Sequence, residues 1–260
     1  MAPYDRGFYD DQMTGSFRSA SVIVPMVLEH VPARTVCDIG CGTGTWLCVF
    51  MNNGVSDVLG VDGDYVPSDY LKIPRTSFYP ADLRNTVTIE RTFDLAVSLE
   101  VAEHLPASRA ESFVATLTQL APVVLFSAAI PNQGGTEHIN EQWPDYWEAL
   151  FAARGFVAVD AIRPVVWEDT SVEWWYRQNT LLYVRKDQLG RYPRLQAIAA
   201  GPQWPRRVVH PIQFEVMGRR PSRLTTTMSA VRRAFGRRVL RPAFDRPAST
   251  LGPTLGPGTP

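Results

Sequence analysis

The stretch VCDIGCGTGTW, residues 36–46, constrains the fold more than any other part of the chain, because a short apolar run ends in an acid and opens into alternating glycines. Gly40, Gly42 and Gly44 permit backbone angles that other residues resist, and they let a ligand come close to the main chain. At a strand-to-helix turn, the following helix directs its free N–H groups at that ligand. The stretch therefore predicts the first unit of an α/β fold, with a loop for a nucleotide-type cofactor.

The residues around these glycines exclude two common nucleotide-binding loops. The dinucleotide fingerprint G-x-G-x-x-G/A needs Gly or Ala at the position that Thr45 occupies. A phosphate loop needs a G-K-[ST] sequence, which does not follow. Asp38 would repel a pyrophosphate, whereas its carboxylate suits a cationic group such as an ammonium or a sulfonium.

Short apolar stretches alternate with helical patterns and indicate a doubly wound, mostly parallel sheet. Buried strands are predicted at 35–39, 57–62, 77–83, 93–99 and 123–128. Helices are predicted at 19–30, at 108–120 with Ser108 and Glu111 as a capping box, and at 144–154. Two further strands, 157–162 and 180–186, predict an antiparallel pair joined by a long loop, 163–179.

Charge divides the chain into two parts, although its formal net charge is zero. From residue 187 onward there are thirteen arginines, no lysine and three acids, so this part carries +10 and the first 186 residues carry −10. We therefore expect a domain over 1–186, with residues 1–18 as a lid-like segment. A basic, Arg- and Pro-rich extension is expected over 187–260, partly disordered at its end.

The sequence also bears on location and redox state. The N-terminus lacks the basic and apolar regions of a signal peptide, and no run of eighteen apolar residues occurs, so a cytoplasmic location is expected. The basic amphipathic stretch 228–240 suits a protein partner or peripheral contact with an acidic membrane. Cys37, Cys41 and Cys48 have neither C-x-x-C nor metal-ligand spacing and are expected to be free thiols.

Four motifs together resemble class I S-adenosylmethionine-dependent methyltransferases: VCDIGCGTG, GVDGD, ADL and SLEVAEHL. The resemblance covers about residues 15–186. It implies a Rossmann-like, mostly parallel seven-stranded sheet with an antiparallel last strand. It also implies S-adenosyl-L-methionine as cofactor and S-adenosyl-L-homocysteine as product. The cofactor-binding positions that it implies are Asp38, Gly40, Cys41, Gly42 and Gly44 for methionine and ribose, Asp62 and Gly63 for the ribose hydroxyls, Asp82 and Leu83 for adenine, and Glu100 beside the cofactor.

A narrower resemblance concerns a bacterial methyltransferase subgroup associated with saccharide and cell-envelope biosynthesis. It rests on GGTEHINEQWPDYWEALFAARGF, VEWWYRQN, FYDDQMTGSFRSA and VVHPIQFE. It implies a hydroxyl of a sugar or glycan-linked acceptor. The loop after the fifth strand leaves the ligand-binding edge of the sheet, and its one histidine, His138, is the candidate general base. Candidate acceptor-binding residues are Asn140, Glu141, Trp175 and Tyr176.

Other hypotheses remain open at this point. The acceptor could be a small natural product or a lipid, or the protein could bind the cofactor without catalysis. A nucleic-acid substrate is not expected, since the domain is acidic and lacks an N/D-P-P-Y motif. No cluster of metal-ligating acids is evident, and Glu103 and His104 are expected to be structural residues at a helix start.

Overall fold

A computed structural model describes residues 6–219 of the chain, and the side chains of residues 15–218. The helices are α1 Arg6–His30, α2 Thr45–Asn52, α3 Ala110–Leu120, α4 Pro144–Ala153, α5 Arg163–Val166, α6 Trp174–Asn179, α7 Pro193–Ala200 and α8 Pro211–Arg219. The strands are β1 Thr35–Ile39, β2 Asp57–Asp62, β3 Phe78–Pro80, β4 Leu95–Leu99, β5 Val123–Ser127, β6 Phe156–Val159 and β7 Leu181–Arg185.

The seven strands form one sheet in the order β3-β2-β1-β4-β5-β7-β6. Strands β1 to β5 pair in parallel, and β7 runs antiparallel to both β5 and β6. The predicted seven-stranded, mostly parallel sheet with an antiparallel last strand is confirmed. The strand order reverses at β1, so the crevice at the carboxyl ends of β1 and β4 is where such a sheet binds its ligand.

Both faces of the sheet are covered, which explains why its strands read as continuous apolar runs. In β5, Val123 and Leu125 pack on one face, and Val124 and Phe126 pack on the other, because side chains alternate along a strand. Helices α1, α2 and α7 cover the first face, while α3 and α4 cover the second. The sheet is thereby a rigid platform for the loops at its carboxyl edge.

Several predicted boundaries differ from the structure. The first helix begins at Arg6, so most of the predicted lid-like segment, residues 1–18, is part of a 25-residue helix. The third strand covers only residues 78–80, and the predicted loop 163–179 contains α5 and α6. The predicted capping box is wrong, because Ser108 lies in a 3-10 turn, Ala107–Arg109, and α3 has no side-chain cap.

The compact unit that contains the sheet runs to Met217, so the predicted boundary at residue 186 falls inside it. Leu195 of α7 is fully buried in the core. Arg163, also fully buried, pairs with Asp160 at 2.6 Å and donates to the carbonyls of Pro205 and Arg206. The sequence pattern missed this packing because the segment is rich in Pro and Arg. The amphipathic stretch 228–240 lies outside the described residues.

Within residues 6–219, no helix combines the length and the apolar character needed to cross a bilayer. The three cysteines are free thiols, as predicted, and Cys37 and Cys41 are buried. Burial raises the pKa of the Cys41 thiol, and the charges of Asp38 and Asp62 raise it further. Cys37 and Cys41 therefore remain protonated and act as small core residues.

Candidate active site

The glycine loop after β1 has the backbone that its sequence predicts. Gly40, Gly42 and Gly44 have φ angles of 88°, 53° and 81°, a region that residues with a Cβ rarely adopt. A side chain at Gly40 would collide with Val101, and Gly44 caps α2. By contrast, a Cβ at Gly42 would meet no atom of the described residues within 4 Å. The loop thus presents open space over Gly42, directly before the N-terminus of α2.

Asp62, at the end of β2, ties this loop to the neighbouring strand. Its Oδ2 accepts the Gly42 N–H at 2.7 Å, and its Oδ1 accepts the Gly63 N–H at 2.7 Å and the Tyr65 hydroxyl at 2.6 Å. A side chain at Gly63 would collide with the Tyr65 ring, so glycine is required there. The buried carboxylate of Asp62 therefore joins the glycine loop to the residues that follow β2.

Asp38, on β1, is a buried acid whose pKa is raised by burial and, secondarily, by the charge of Asp62. Two carboxylates that share a dry crevice repel each other, and a cation placed near them relieves this repulsion. The electrostatics of the crevice therefore favour a positively charged ligand group.

The predicted adenine-binding residues are less clearly arranged. The carboxylate of Asp82 is bound by Arg84 at 2.9 Å and by Asn85 at 3.3 Å, and the hydrogen bonds from Arg84 lower its pKa. The side chain of Leu83 is buried in the core on the α3 face. The main chain nevertheless lies close to Asp62, because the Ala81 N–H donates to its carbonyl at 2.7 Å.

Glu100 follows β4 and is held in a strained conformation, with a φ of 55°. Its Oε2 accepts from the Gln133 amide at 2.7 Å, and its Oε1 accepts from Asn179 at 3.1 Å. Burial raises the pKa of this carboxyl, while these hydrogen bonds oppose the rise. The next residue, Val101, packs against Gly40, so Glu100 lies beside the glycine loop as predicted.

The loop after β5, residues 131–143, is organised by Glu141. Its two oxygens accept the N–H groups of Asn132 and Gly134, each at 2.7 Å. Its Oε1 also lies 3.0 Å from Nδ1 of His138. Glu141 is a predicted acceptor-binding residue, and in the structure its contacts hold the loop and orient His138. A carboxylate can only accept a hydrogen bond, so Nδ1 of His138 carries the hydrogen of this contact.

His138 lies in a cluster with Glu103 and His104, two residues that the sequence suggested were merely structural. One ligand-type atom from each residue lies within 4.8 Å of the others. The two imidazoles meet edge to face at 4.8 Å between centroids. Burial, together with the charge of His138, lowers the pKa of His104 to about 4. The sequence missed this cluster because His138 is 34 positions after His104.

Glu103 is the most unusual member of the cluster. It is fully buried, and among the described residues neither of its carboxylate oxygens has a hydrogen-bond partner. Burial raises its pKa well above the ordinary value, and the nearby charge of Glu100 raises it further. Its backbone carbonyl accepts from the N–H groups of Ile139 and Asn140, which fixes the loop over the cluster.

The other predicted acceptor-binding residues have structural contacts. Asn140 is buried and accepts from Gln142 at 3.0 Å. Tyr176 is buried against Trp46, and its hydroxyl lies 3.3 Å from Ser16 of α1. Burial raises the pKa of Tyr176 to about 12. Trp175, only partly buried, remains accessible at the edge of this aromatic group.

Comparison with known proteins decides the family. The profile of a family described as a methyltransferase domain matches residues 18–161, more than half of the chain. The chain belongs to this methyltransferase family. No curated protein sequence gives a significant match. The glycine loop, the strand order and the family together make it an S-adenosylmethionine-dependent methyltransferase.

Solved structures share the fold of this methyltransferase at low sequence identity. The sugar N-methyltransferase KedS8 from Streptoalloteichus sp ATCC 53650 has a TM-score of 0.55 and 16% identity, over 70% of this chain and 93% of that one. DesVI from Streptomyces venezuelae has a TM-score of 0.50 and 16% identity, over 70% of this chain and 98% of that one. At such identities the likeness shows the fold alone.

The residues of this methyltransferase fit S-adenosylmethionine. The open space over Gly42 admits a ligand next to the main chain, and Asp62 offers two oxygens to vicinal hydroxyls. The buried acid Asp38 suits the positive charge of the cofactor. Asp38, Gly40, Cys41, Gly42, Gly44, Asp62, Gly63 and Glu100 all lie around the carboxyl ends of β1, β2 and β4, where the sequence predicted them.

The sequence analysis did not identify three residues that contact the acids of this site. Tyr65 binds Asp62, while Gln133 and Asn179 bind Glu100. Tyr65 could have been suspected, since it follows Asp62 by three positions. Gln133 and Asn179 are 33 and 79 positions from Glu100, so only the folded chain brings them together.

Proposed function

We propose that this methyltransferase transfers its methyl group to a hydroxyl of a sugar or a glycan-linked acceptor. The observation that carries the proposal is the His138–Glu141 pair at the carboxyl edge of the sheet, with 3.0 Å between Nδ1 and Oε1. A hydroxyl is a weak nucleophile and reacts well only as its proton leaves. An O-methyltransferase therefore benefits from a proton acceptor at the acceptor end of the cofactor crevice.

Each active-site residue has a separate role in the proposed methyl transfer. S-adenosylmethionine supplies a methyl carbon on a cationic sulfur, which leaves as a neutral thioether. The glycine loop and Asp62 hold the methionine and ribose parts, and Asp38 balances positive charge. Glu141 holds the Nδ1 proton of His138 in place. In this proposal Nε2, which packs beside Gly135, takes the proton of the hydroxyl. Proton acceptance of this kind contributes about 10²–10⁴-fold, and alignment of the acceptor with the methyl adds to it.

The polarity around His138 favours a polyhydroxylated acceptor over an apolar one. Glu103 has two buried oxygens without partners among the described residues, and Glu100 lies beside them. A polyhydroxylated acceptor suits such a polar and acidic surrounding, whereas placing an apolar lipid chain against it is costly. The partly exposed Trp175 offers an aromatic face of the kind that packs on sugar C–H groups.

Methyl-labelled S-adenosylmethionine tests the proposal when it is offered with nucleotide sugars, free monosaccharides and amino sugars, followed by mass spectrometry and NMR of the products. We expect an O-methyl sugar and S-adenosylhomocysteine in equal amounts. His138→Gln should bind the cofactor normally and lose most of the turnover. Methyl transfer to nitrogen only, or only to a lipid or natural product, would contradict the proposal.

One further outcome separates catalysis from simple cofactor binding. If the protein binds S-adenosylmethionine but methylates neither the panel nor any extract of bacterial saccharides, the non-catalytic alternative gains support. Calorimetry on the same preparation provides the necessary control, since it measures cofactor binding without turnover.

A further inference from the structure

We propose that Glu103, His104 and His138 form a binding site for one divalent first-row transition cation, such as Mn²⁺, Fe²⁺, Co²⁺ or Zn²⁺, at the acceptor end of the active site. Each residue offers one ligand atom, and these atoms lie within 4.8 Å of one another. Two ligands about 2.0–2.2 Å from a common ion are at most about 4.4 Å apart, so small side-chain rotations close the cluster around an ion.

The strongest support comes from Glu103. Its side chain is fully buried, and neither carboxylate oxygen has a partner among residues 15–218. Buried polar groups in proteins are nearly always hydrogen-bonded, and a buried carboxylate without a partner is expensive. A cation supplies the missing positive partner, and it also compensates the neighbouring charge of Glu100.

The surroundings of His138 match those of a metal-ligating histidine. Such a histidine usually donates its second ring N–H to a carboxylate or a carbonyl, which fixes the ring and makes the ligating nitrogen more basic. Glu141 takes this role at Nδ1, at 3.0 Å, and is itself fixed by two backbone N–H groups. Nε2 of His138 is then the ligating atom. His104 has a buried Nδ1 that no described residue hydrogen-bonds.

The donor set indicates the class of cation. Two imidazole nitrogens and one carboxylate oxygen suit first-row transition ions, whereas Mg²⁺ and Ca²⁺ prefer oxygen ligands alone. Three protein ligands leave coordination positions open, which is the arrangement of catalytic rather than structural metal sites. An oxygen of the acceptor can occupy an open position.

The catalytic role of the cation rests on the proposed hydroxyl acceptor. A cation held by Glu103, His104 and His138 would bind the hydroxyl oxygen of the acceptor and lower the pKa of that hydroxyl. The hydroxyl proton would then pass to a solvent base. An oxygen lone pair then forms the O–C bond, while the electrons of the S–C bond move to sulfur. In the enzyme with the cation bound, His138 holds the cation through Nε2, and the proton acceptance described under the proposed function applies to the enzyme without a cation.

Cation binding can be measured without any acceptor. Chelator-treated protein is titrated with Co²⁺, and the visible absorption bands of the protein-bound ion are followed. We expect saturation at one ion per chain, and loss of the bands in Glu103→Gln and His104→Asn. Glu141→Gln should weaken binding about 10- to 100-fold through its effect on His138. His30→Asn, which alters a histidine of α1 outside the cluster, is the control and should bind normally.

Thermal unfolding distinguishes loss of the ion from loss of the fold. Co²⁺ or Mn²⁺ should raise the unfolding temperature of the wild type but not that of Glu103→Gln. Without any cation, Glu103→Gln should have about the stability of the wild type, because an amide of the same size replaces the buried side-chain carboxyl group. Equal Co²⁺ affinity in the wild type and Glu103→Gln would overturn the cation site.

The two proposals fail in different ways. Stoichiometric Co²⁺ binding that Glu103→Gln abolishes establishes the cation site even if no hydroxyl acceptor is methylated. Conversely, O-methyl transfer that survives exhaustive chelation at full rate overturns the catalytic role of the cation and leaves the hydroxyl acceptor in place. Calorimetric affinity for S-adenosylmethionine should be the same in Glu103→Gln and the wild type.

Discussion

The loops after β1 and β5 are each tied together by one carboxylate that accepts three hydrogen bonds. Asp62 accepts from the N–H groups of Gly42 and Gly63 and from the Tyr65 hydroxyl. Glu141 accepts from the N–H groups of Asn132 and Gly134 and from His138. Both loops lie at the carboxyl edge of the same sheet, yet they obtain their shapes in different ways.

The difference lies in what the backbone itself provides. In the first loop, all three left-handed residues are glycines, so the sequence alone allows the turn. In the second loop, Asn132 and Glu137 have positive φ angles of 69° and 59°, which side-chain contacts must stabilise. Asp62 is therefore not needed to stabilise a non-glycine residue with a positive φ angle, and it can also accept hydrogen bonds from a ligand. Glu141, by contrast, maintains the loop that carries His138. Substitutions can separate these two tasks.

Asp62→Ala should give the largest effect on cofactor binding. It removes both oxygens available to the ribose hydroxyls, so affinity for S-adenosylmethionine should fall about 10- to 100-fold, as for the loss of hydrogen bonds to a charged group. Calorimetry measures this affinity. Glu141→Ala is the matched control, which should leave affinity unchanged and lower turnover. A similar loss of affinity in both variants would mean that the two loops form one cofactor site.

Alanine at Gly40 should mainly lower the stability of the fold, whereas alanine at Gly42 should mainly weaken cofactor binding. Gly40→Ala combines a φ of 88° with a collision against Val101, and should lower the free energy of unfolding by about 1–3 kcal/mol. Gly42→Ala has room within the protein and should cost only about 1–2 kcal/mol. Its methyl group would fill the space over the loop and weaken cofactor binding. Thermal unfolding and calorimetry of both variants test this; equal stability and equal affinity would contradict it.

Affinity for S-adenosylmethionine should rise with pH, because a cationic ligand favours ionised Asp38 and burial raises the pKa of this carboxyl. Below that raised pKa, affinity should fall by up to about tenfold per pH unit. Asp38→Asn should bind more weakly and without this pH dependence.

The stability of the cofactor-free protein should change in the opposite direction. Folded Asp38 retains its proton at pH values where the unfolded chain has lost it, so the free energy of unfolding contributed by this group falls as pH rises from the ordinary carboxyl pKa to the raised one. Thermal unfolding across that window checks the sign. A stability that rises with pH equally in wild type and Asp38→Asn would argue against a raised pKa for Asp38.

Tyr65→Phe should have the smallest effect. The Tyr65 hydroxyl donates to Oδ1 of Asp62 at 2.6 Å, where a ribose hydroxyl would also donate, and this side chain is 60% exposed. Removing the competing donor, worth about 0.5–1.5 kcal/mol, should tighten cofactor binding by up to about tenfold. A loss of affinity instead would mean that Tyr65 orients Asp62 for the cofactor.

Local rules predicted the parts of the fold that depend on short stretches of chain. Strand β1 and the glycine loop follow from an apolar run and three glycines, and Gly155, which follows α4, has a φ of 80°. Predictions from short stretches of sequence failed where the folded chain adopts a different local structure. Ser108 does not cap α3, because it lies in the 3-10 turn that precedes the helix.

The C-terminal boundary was missed for a related reason. A chain rich in Pro and Arg suggests an extension, but Arg163 needs the carbonyls of residues 205 and 206, and Gln178 binds both His210 and Gln213. Gln178 in turn contacts Asn179, which binds Glu100. Residues after 186 are therefore connected by hydrogen bonds to the edge of the cofactor crevice.

The sequence by itself determined the class of the sheet, the shape of the glycine loop and the acids at the ends of β1 and β2, because glycine conformation and strand periodicity are local properties. Only the tertiary structure decided which polar groups meet. Glu103, His104 and His138 come from two loops, and nothing in their spacing shows that Glu103 is buried with no hydrogen-bond partner in the described part of the chain. That outcome depends on how the loop after β5 folds over the end of β4, a contact between distant segments.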